Sequence, residues 1–353
     1  MKKLVVSLAV LLCICLAGWS VKSSTRPVLQ VVADTVYRDM PNLAAAFSRN
    51  APLPDTTCVF AHPDDSTTLR LDIYRAAVDS LVPAGQARPV VLFAFGGGFR
   101  AGSRNQAGYR QWFGQLASAG YTVVSIDYRL GLKGAGQKKY LKWFGQFRKA
   151  IAMGVEDMFT ATAWLTEHGP SLGIDAGRIV LSGSSAGAII SLQCIYELYN
   201  GRSSADILPK GYEYAGVMSF AGAIFSTRGA VRFKRPPCPT LFFHGTADPL
   251  VPYQQIRVLP VGFFGSGQIA ARYARAGYDY RFYRFLNLGH EVASLMPLTL
   301  PEQLDFLEHV VCEGEKGTLD QVVSIRNLDA LQRRAPGRGN GRRPDVRQNR
   351  PTE

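Results

Sequence analysis

A serine between two glycines is the residue of this sequence with the clearest capacity for chemistry. Ser185 lies in the run G-S-S-A-G that begins at Gly183, and only this register places glycines two positions before and after a serine. Residues 179–181 are apolar and mostly β-branched, as in a buried strand, and residues 188–199 favour a helix. Strand, G-x-S-x-G and helix in this order predict a tight turn that exposes a nucleophile. A Gly/Ser-rich loop without chemistry is the alternative.

Two later loops supply the partners that a serine nucleophile needs. A serine hydroxyl reacts well when a histidine removes its proton and a carboxylate orients that histidine. Asp248 lies in H-G-T-A-D-P-L-V-P after one predicted strand, and His290 lies in L-N-L-G-H-E after the next. We therefore predict Ser185 as nucleophile, His290 as base and Asp248 as the acid. Asp127 also ends a predicted strand and is the alternative acid, but it precedes the serine.

The chain contains five histidines, so the base can also be chosen by exclusion. His62 precedes the predicted sheet. His168 and His309 lie near the ends of predicted helices, where a histidine can cap the last backbone carbonyl groups. His244 ends a strand beside the acid and is expected to brace its loop. His290 is the histidine that remains for proton transfer.

Three glycines after a central strand predict the site that binds the oxyanion of the tetrahedral intermediate. That oxyanion needs backbone N–H groups already aimed at it. Residues 96–98 are Gly-Gly-Gly after the fully apolar run 89–95, which lets the backbone approach a substrate closely. We predict Gly97, Gly98 and Ala186 as the donors, with no metal site and no cofactor.

The order of elements predicts an α/β protein with a mainly parallel central sheet covered by helices on both faces. Segment 131–154 combines basic and aromatic residues and has two interpretations, a substrate groove or lid and an amphipathic surface helix. The remaining elements are predicted from their hydrophobic patterns: strands at 68–74, 89–95, 121–126, 215–221, 239–243 and 280–285, and helices at 106–119, 155–167, 269–276 and 301–311.

Five motifs in one order resemble the α/β-hydrolase superfamily, most of all its hormone-sensitive-lipase-like and bacterial feruloyl/acetyl esterase group. They are F-G-G-G-F at 95–99, D-Y-R at 127–129, G-S-S-A-G, H-G-T-A-D-P-L-V-P and L-G-H. The resemblance implies an α/β-hydrolase fold over roughly residues 69–311. Two positions depart from the family pattern: Phe95 stands where a histidine is usual, and Ser184 where an acidic residue is favoured. The short interval between Ser185 and Asp248 leaves no room for a large cap domain.

The two ends of the chain differ from its centre. Lys2 and Lys3 precede the apolar run 4–17 and then small residues, which predicts a cleaved signal peptide over 1–20. Residues 21–60 are predicted as an N-terminal arm, 61–315 as the catalytic domain and 316–353 as an extension with a basic, disordered tail. We therefore predict a secreted or periplasmic protein that does not insert stably into a membrane. Lipid anchoring is the less favoured alternative.

Charge and cysteine content limit the partners. The net charge is +13, and the tail 331–353 has seven arginines against two acids. Such a tail can contact anionic surfaces, although a merely solvated extension is the simpler interpretation. Behind an export signal, nucleic acid is not an expected partner. Beyond the predicted signal the chain has four cysteines, Cys58, Cys194, Cys238 and Cys312. Four cysteines allow three complete disulfide pairings, and the sequence does not distinguish among them.

These observations together predict an exported serine carboxylic-ester hydrolase. Its expected substrates are short acyl or feruloyl esters of small-molecule or carbohydrate alcohols, presented at an open site. A prolyl-oligopeptidase-like serine peptidase is the first alternative, because H-G-T-A-D-P-L-V-P is similar to a motif of that group. A catalytically silent binding protein on the same scaffold is the second. The oligomeric state does not follow from the sequence.

Overall fold

A ten-stranded sheet forms the centre of the part of the chain that the structure describes. The structure is a computed structural model that describes residues 29–31, 53–61, 68–75, 88–134 and 140–324. The strand order is β1-β13-β12-β9-β7-β6-β4-β5-β3-β2. In chain order these are β1 (Leu29–Val31), β2 (Thr56–Ala61), β3 (Thr68–Tyr74), β4 (Val90–Ala94), β5 (Thr122–Ile126), β6 (Ile179–Ser184), β7 (Gly216–Phe220), β9 (Thr240–Gly245), β12 (Tyr280–Phe285) and β13 (Thr318–Val323).

The sheet is parallel from β1 to β5 in this order, and only β3 and β2 run antiparallel to their neighbours. Every residue of the central strands β4, β6, β7 and β9 is buried. Because successive side chains of a strand point to opposite faces, complete burial means that both faces of the sheet are covered. The predicted fold class is confirmed.

The helices form two groups around this sheet. They are α1 (Ala107–Ser118), α2 (Tyr140–His168), α3 (Ala186–Leu198), α4 (Ser266–Ala276) and α5 (Leu300–Asp305), the last continuing as a π-helical segment, Phe306–Cys312. Helix α1 packs with α5, and α2 packs with α3. The helix predicted over 155–167 starts much earlier, at Tyr140, so the basic-aromatic segment supplies its first turns. None of the described helices is both long and apolar enough to span a membrane.

A second, three-stranded antiparallel sheet was not predicted. It consists of β8 (Ala223–Ser226), β10 (Gln255–Val258) and β11 (Val261–Gly265), in the order β10-β11-β8. Strand β10 has four exposed residues and lies at the edge. These strands are short, and their pairing joins residues far apart in sequence, which periodicity alone does not reveal.

The main sheet also extends past two predicted domain boundaries. Strand β13 lies beyond residue 315 and pairs with β12 along its whole length. Strand β2 belongs to the predicted N-terminal arm and pairs with β3. The predicted signal peptide and the basic tail lie outside the described residues. Each of the four cysteines beyond the predicted signal is a free thiol, and Cys194 is fully buried in the core.

Candidate active site

The turn at Ser185 has the strained geometry that its flanking glycines predict. Ser185 joins β6 to α3 with φ 51° and ψ −113°, an unfavourable backbone region for a residue with a side chain. Its N–H donates to the carbonyl of Phe220 at 2.9 Å, which holds the turn in place. A Cβ atom on Gly183 would lie 2.2 Å from the carbonyl carbon of Gly187, and one on Gly187 would lie 2.0 Å from the Ala94 oxygen. Neither position can accept a side chain.

The three residues predicted to carry the chemistry meet at this turn. His290 Nε2 lies 2.8 Å from Ser185 Oγ, and His290 Nδ1 lies 2.8 Å from Asp248 Oδ2. Because an ionised carboxylate only accepts hydrogen bonds, Nδ1 carries the proton and Nε2 is left to accept from the serine. In this tautomer Nε2 of His290 can accept the proton of Ser185.

Asp248 is held by more hydrogen bonds than the one to His290. Its Oδ1 accepts from the N–H groups of Leu250 (2.8 Å) and Val251 (3.0 Å). Burial would raise the pKa of Asp248, but the hydrogen bonds from His244, His290 and the Val251 N–H outweigh it and hold that pKa well below the ordinary value. The carboxylate thus stays charged beside His290.

The other histidines and Asp127, which were not predicted to take part in catalysis, have other partners where the structure describes them. His244 is fully buried and contacts Ser266 Oγ at 2.8 Å and the Val251 carbonyl at 3.2 Å, so it braces the loop of the acid. Asp127 forms an ion pair with Arg104 at 2.8 Å instead of approaching a histidine. His168 contacts the Trp164 carbonyl and His309 contacts Glu313, both on their own helices. His62 lies outside the described residues.

The predicted oxyanion donors line a common cavity with Ser185. Gly97, Gly98 and Ala186 are all on its wall. Gly97 and Gly98 have φ of 132° and 62°, and a Cβ on Gly97 would lie 1.9 Å from the Ala101 oxygen. Within the described part of the chain, none of these three N–H groups donates to another protein group. Amides on a cavity wall that lack a protein acceptor are available to a substrate oxygen.

Two tyrosines, missed by the sequence analysis, brace the glycine loop where the resemblance would place a histidine. Phe95 is buried, its ring stacks on Tyr128 at 4.4 Å, and its carbonyl accepts from the Tyr128 hydroxyl at 2.9 Å. The N–H of Gly96 donates to the Tyr109 hydroxyl at 3.0 Å. The ring of Tyr109 packs 4.8 Å from that of Phe93. Tyr128 lies in the D-Y-R motif, which was the one signal in the sequence for this brace.

Ser184, the other departure from the family pattern, links the nucleophile turn to the histidine loop. Its hydroxyl donates to the carbonyl of Ala293 at 2.7 Å. Ala293 belongs to the short 3₁₀ helix His290–Ser294 that begins at the base. Ser184 thus helps to keep His290 at its distance from Ser185.

Replacing Tyr109 with phenylalanine is expected to lower kcat about three- to tenfold and to leave KM for a small neutral ester unchanged. One lost hydrogen bond is worth roughly 0.5–1.5 kcal/mol, and this one positions the loop of the oxyanion donors. Tyr109 also lines the cavity, but phenylalanine keeps the ring on that wall. Steady-state kinetics on a p-nitrophenyl ester separates the two constants. Tyr74→Phe is the control, because Tyr74 also packs on Phe113 but its buried hydroxyl has no partner among the described residues. An equal fall in both variants, or a rise in KM, would contradict the positioning role.

The cavity beside Ser185 is large and mostly apolar. Its volume is about 1050 Å³. Side chains from the oxyanion loop, α2, α3 and the small sheet form its walls: Phe99, Phe144, Phe147, Ile189, Val261 and Phe263. None of the described residues on these walls is Asp, Glu, Lys or Arg. Phe144 and Phe147 of segment 131–154 pack against the core and also form part of the cavity wall, which combines both interpretations of that segment.

Comparison with known proteins agrees with this fold. The apo form of Thermogutta terrifontis esterase 2 superimposes with a TM-score of 0.51 at 21% identity, covering 76% of this chain and 99% of that one. A propionate-bound esterase structure from the same species has a TM-score of 0.50 at 21% identity, covering 74% and 96%. Strand order and these likenesses define the class of fold: the chain has the α/β-hydrolase fold.

Sequence comparison finds a likeness to esterases. Residues 44–218 match the model of the Carboxylesterase family. The chain is 37% identical to Esterase LipI of Mycobacterium tuberculosis over 105 residues, which are 29% of this chain and 27% of that protein. It is 29% identical to Ethyl acetate hydrolase of Pseudomonas putida over 167 residues, 47% of this chain and 46% of that protein. The matched part spans less than half the length of these curated relatives. The closer resemblance to feruloyl/acetyl esterases stays a prediction.

Proposed function

We propose that the protein is a serine carboxylic-ester hydrolase that works through an acyl-enzyme intermediate. One observation carries the proposal: Ser185, His290 and Asp248 form a hydrogen-bonded chain with two distances of 2.8 Å, and the serine end opens on an apolar cavity. The similarity of residues 44–218 to carboxylesterases supports the same reaction.

In the first half of the reaction, Ser185 Oγ attacks the ester carbonyl carbon while its proton passes to His290 Nε2. The charge that develops on the carbonyl oxygen is met by the N–H groups of Gly97, Gly98 and Ala186. Asp248 stabilises the positive imidazolium. His290 then gives its proton to the departing alcohol as the C–O bond breaks, which leaves the acyl group on Ser185.

The second half repeats these steps with water. His290 takes a proton from a water molecule, whose oxygen attacks the acyl carbon. The tetrahedral intermediate uses the same three N–H donors. When it collapses, the bond to Ser185 Oγ breaks, the proton returns from His290 to the serine, and the carboxylic acid leaves.

The cavity favours neutral esters with an apolar or aromatic group. Phe147 lies with its ring 5.5 Å from that of Phe99 and 5.3 Å from that of Phe263, both in edge-to-face arrangements. Such rings can accept a planar aromatic acyl group in the same geometry. A charged substrate would lose its hydration on these walls without gaining an ion pair. Aromatic acyl esters such as feruloyl esters fit these conditions.

Substituting Phe147 with alanine is expected to lower kcat/KM for an aromatic acyl ester about tenfold, because one aromatic contact of about 0.5–1.5 kcal/mol is lost together with buried area. Hydrolysis of the acetyl ester of the same alcohol is expected to stay nearly unchanged, since an acetyl group has no ring to pack against Phe147. Phe147→Leu keeps an apolar wall and is expected to restore part of the loss. Equal losses on both esters would show that Phe147 supports the fold and does not select the acyl group.

The peptidase alternative is tested by comparing an ester with its matched amide. Purified protein is given a p-nitrophenyl ester and the p-nitroanilide of the same acyl group, along with acetylated and feruloylated saccharides. A phosphonate probe, followed by peptide mass spectrometry, locates the reacting residue. We expect turnover of the ester without detectable turnover of the amide, and the label on Ser185. Comparable amide turnover would favour a peptidase, and absence of both label and turnover would favour a silent scaffold.

Export is part of the proposal and rests on residues 1–20 of the sequence. The N-terminus of the protein recovered from a host that processes signal peptides is expected to lie near residue 20, as measured by intact mass. A protein that retains residues 1–20 in the cell interior would overturn this part without affecting the proposed chemistry.

A further inference from the structure

The rim of the cavity carries an exposed apolar cluster that the proposed chemistry does not use. Its four members, which we call the rim cluster, are Leu250, Ile256, Val258 and Leu259. The exposed fractions of these residues are 72%, 53%, 45% and 81%. They are half of the eight large apolar side chains that are exposed among the described residues. Leu250, Ile256 and Val258 also line the cavity. Leu259 does not line the cavity, so its side chain stays exposed to water even when a substrate is bound there.

The tip of the β10–β11 hairpin holds Leu259 in a strained conformation. Val258 pairs with Val261, so the turn consists of Leu259 and Pro260 alone. Leu259 has a φ of 53°, at the turn position where glycine is the usual residue. Leu259 is the most exposed large apolar residue in the part of the chain that the structure describes, and both solvation and backbone preference disfavour it there. An outlier of this kind points to a function.

Two exposed arginines lie beside the tip. The strands β8, β10 and β11 themselves contain Arg257 and no acidic residue. Arg257 is exposed on the hairpin, and Arg228 is exposed next to Gly229, whose N–H donates to the Pro260 carbonyl at 2.6 Å. Exposed apolar side chains flanked by basic ones match the surface of an anionic bilayer, where the former enter the interface and the latter meet the lipid headgroups.

We propose that the rim cluster docks the protein peripherally on an anionic lipid surface, with the mouth of the cavity facing that surface. Leu259 enters the interface first, and Arg228 and Arg257 contact the headgroups. Esters dissolved in the bilayer then reach Ser185 without crossing water. Docking of this kind needs no membrane-spanning segment. It also does not depend on the proposed hydrolysis, so the two proposals can fail separately.

Co-sedimentation of the full chain with vesicles tests the proposal. One vesicle population is pure phosphatidylcholine, and the other contains phosphatidylcholine and phosphatidylglycerol in a ratio of about 3:1. We expect binding to the anionic vesicles, weakened by salt as screening predicts. Leu259→Asn is expected to reduce that binding about tenfold or more, the effect of withdrawing one large apolar side chain from the interface.

Asparagine suits this test because it tolerates a positive φ, so the variant is expected to unfold at the same or a higher temperature and to hydrolyse soluble esters as before. Leu286→Asn is the matched control, an exposed leucine outside the rim cluster. Arg228→Gln is expected to weaken binding to the anionic vesicles while leaving the tip intact. The arginine-rich tail is present in every variant, so its contribution cancels.

Equal binding of wild type and Leu259→Asn to the anionic vesicles would overturn the proposal, and so would the absence of binding by the wild type. Analytical ultracentrifugation tests whether a second copy of the chain covers the rim cluster. A wild-type oligomer that Leu259→Asn converts to a monomer would show that a second copy of the chain covers the cluster, and this would also overturn it.

Discussion

Replacing Ser185 with alanine is expected to lower kcat for a short p-nitrophenyl ester by on the order of 10⁶. The substitution removes the only hydroxyl that lies within hydrogen-bond distance of His290 in the described part of the chain, at 2.8 Å. It leaves the N–H groups of Gly97, Gly98 and Ala186 in place, so a small residual rate over water should survive. Steady-state kinetics, with active sites counted by phosphonate titration, measures the loss.

Ser184→Ala is the matched control for this variant. Ser184 is the neighbouring residue, lines the same cavity and donates one hydrogen bond, to the Ala293 carbonyl. Loss of that bond is expected to change kcat by no more than about tenfold. A collapse of activity in Ser184→Ala comparable to that in Ser185→Ala would mean that the turn, and not the hydroxyl of Ser185, is what matters.

Changing Asp248 to asparagine is expected to lower kcat by on the order of 10⁴. The Oδ1 atom can still accept from the Leu250 and Val251 N–H groups, so the loop should keep its position. The new NH₂ group, however, would face His290 Nδ1, where the carboxylate oxygen now lies at 2.8 Å. His290 would then carry its proton on Nε2, and the proton of Ser185 would have no acceptor.

The kinetics of Asp248→Asn should be compared with those of Asp127→Asn. Asp127 is the other carboxylate that ends a strand, and its partner is Arg104. Asp127→Asn is therefore expected to affect stability and to leave most of kcat intact. If Asp127→Asn lost more activity than Asp248→Asn, the assignment of the acid would be wrong.

The depressed pKa of Asp248 also implies a pH dependence of stability. A carboxyl group with a lowered native pKa stabilises the folded state above its unfolded pKa of about 3.9, and this contribution disappears as the pH falls through the native pKa. Wild type is thus expected to exceed Asp248→Asn in free energy of unfolding at pH 7. The difference should shrink in acid, as denaturant titrations at several pH values would show.

Much of the site could be predicted because its parts are local in sequence. The strained turn at Ser185 requires glycines at fixed offsets, and β6 and α3 on either side of it have their own hydrophobic patterns. In a parallel sheet, the loops after successive strands open at the same edge. The positions of Asp248 and His290 after β9 and β12 therefore placed them near Ser185 before any contact was known.

The features that were missed depend on contacts between distant segments. The Tyr128 hydroxyl reaches the Phe95 carbonyl across 33 positions, and Ser184 reaches Ala293 across 109. The small sheet pairs β8 with β11, whose residues lie 36 to 42 positions later. Pairings of this kind leave no period in the sequence, because each partner is chosen by the packing of the whole domain.

The sequence by itself determined the fold class, the nucleophile and the order of its partners, because turn geometry and strand periodicity are local properties. Only the tertiary structure decided which carboxylate contacts His290, which hydroxyls replace the missing histidine behind the glycine loop, and that an apolar rim surrounds the cavity. Those outcomes follow from distances and exposure, which exist only once the chain is folded. Leu259 illustrates the difference: in the sequence it is one apolar residue among many, and it is the most exposed of the large apolar residues that the structure describes.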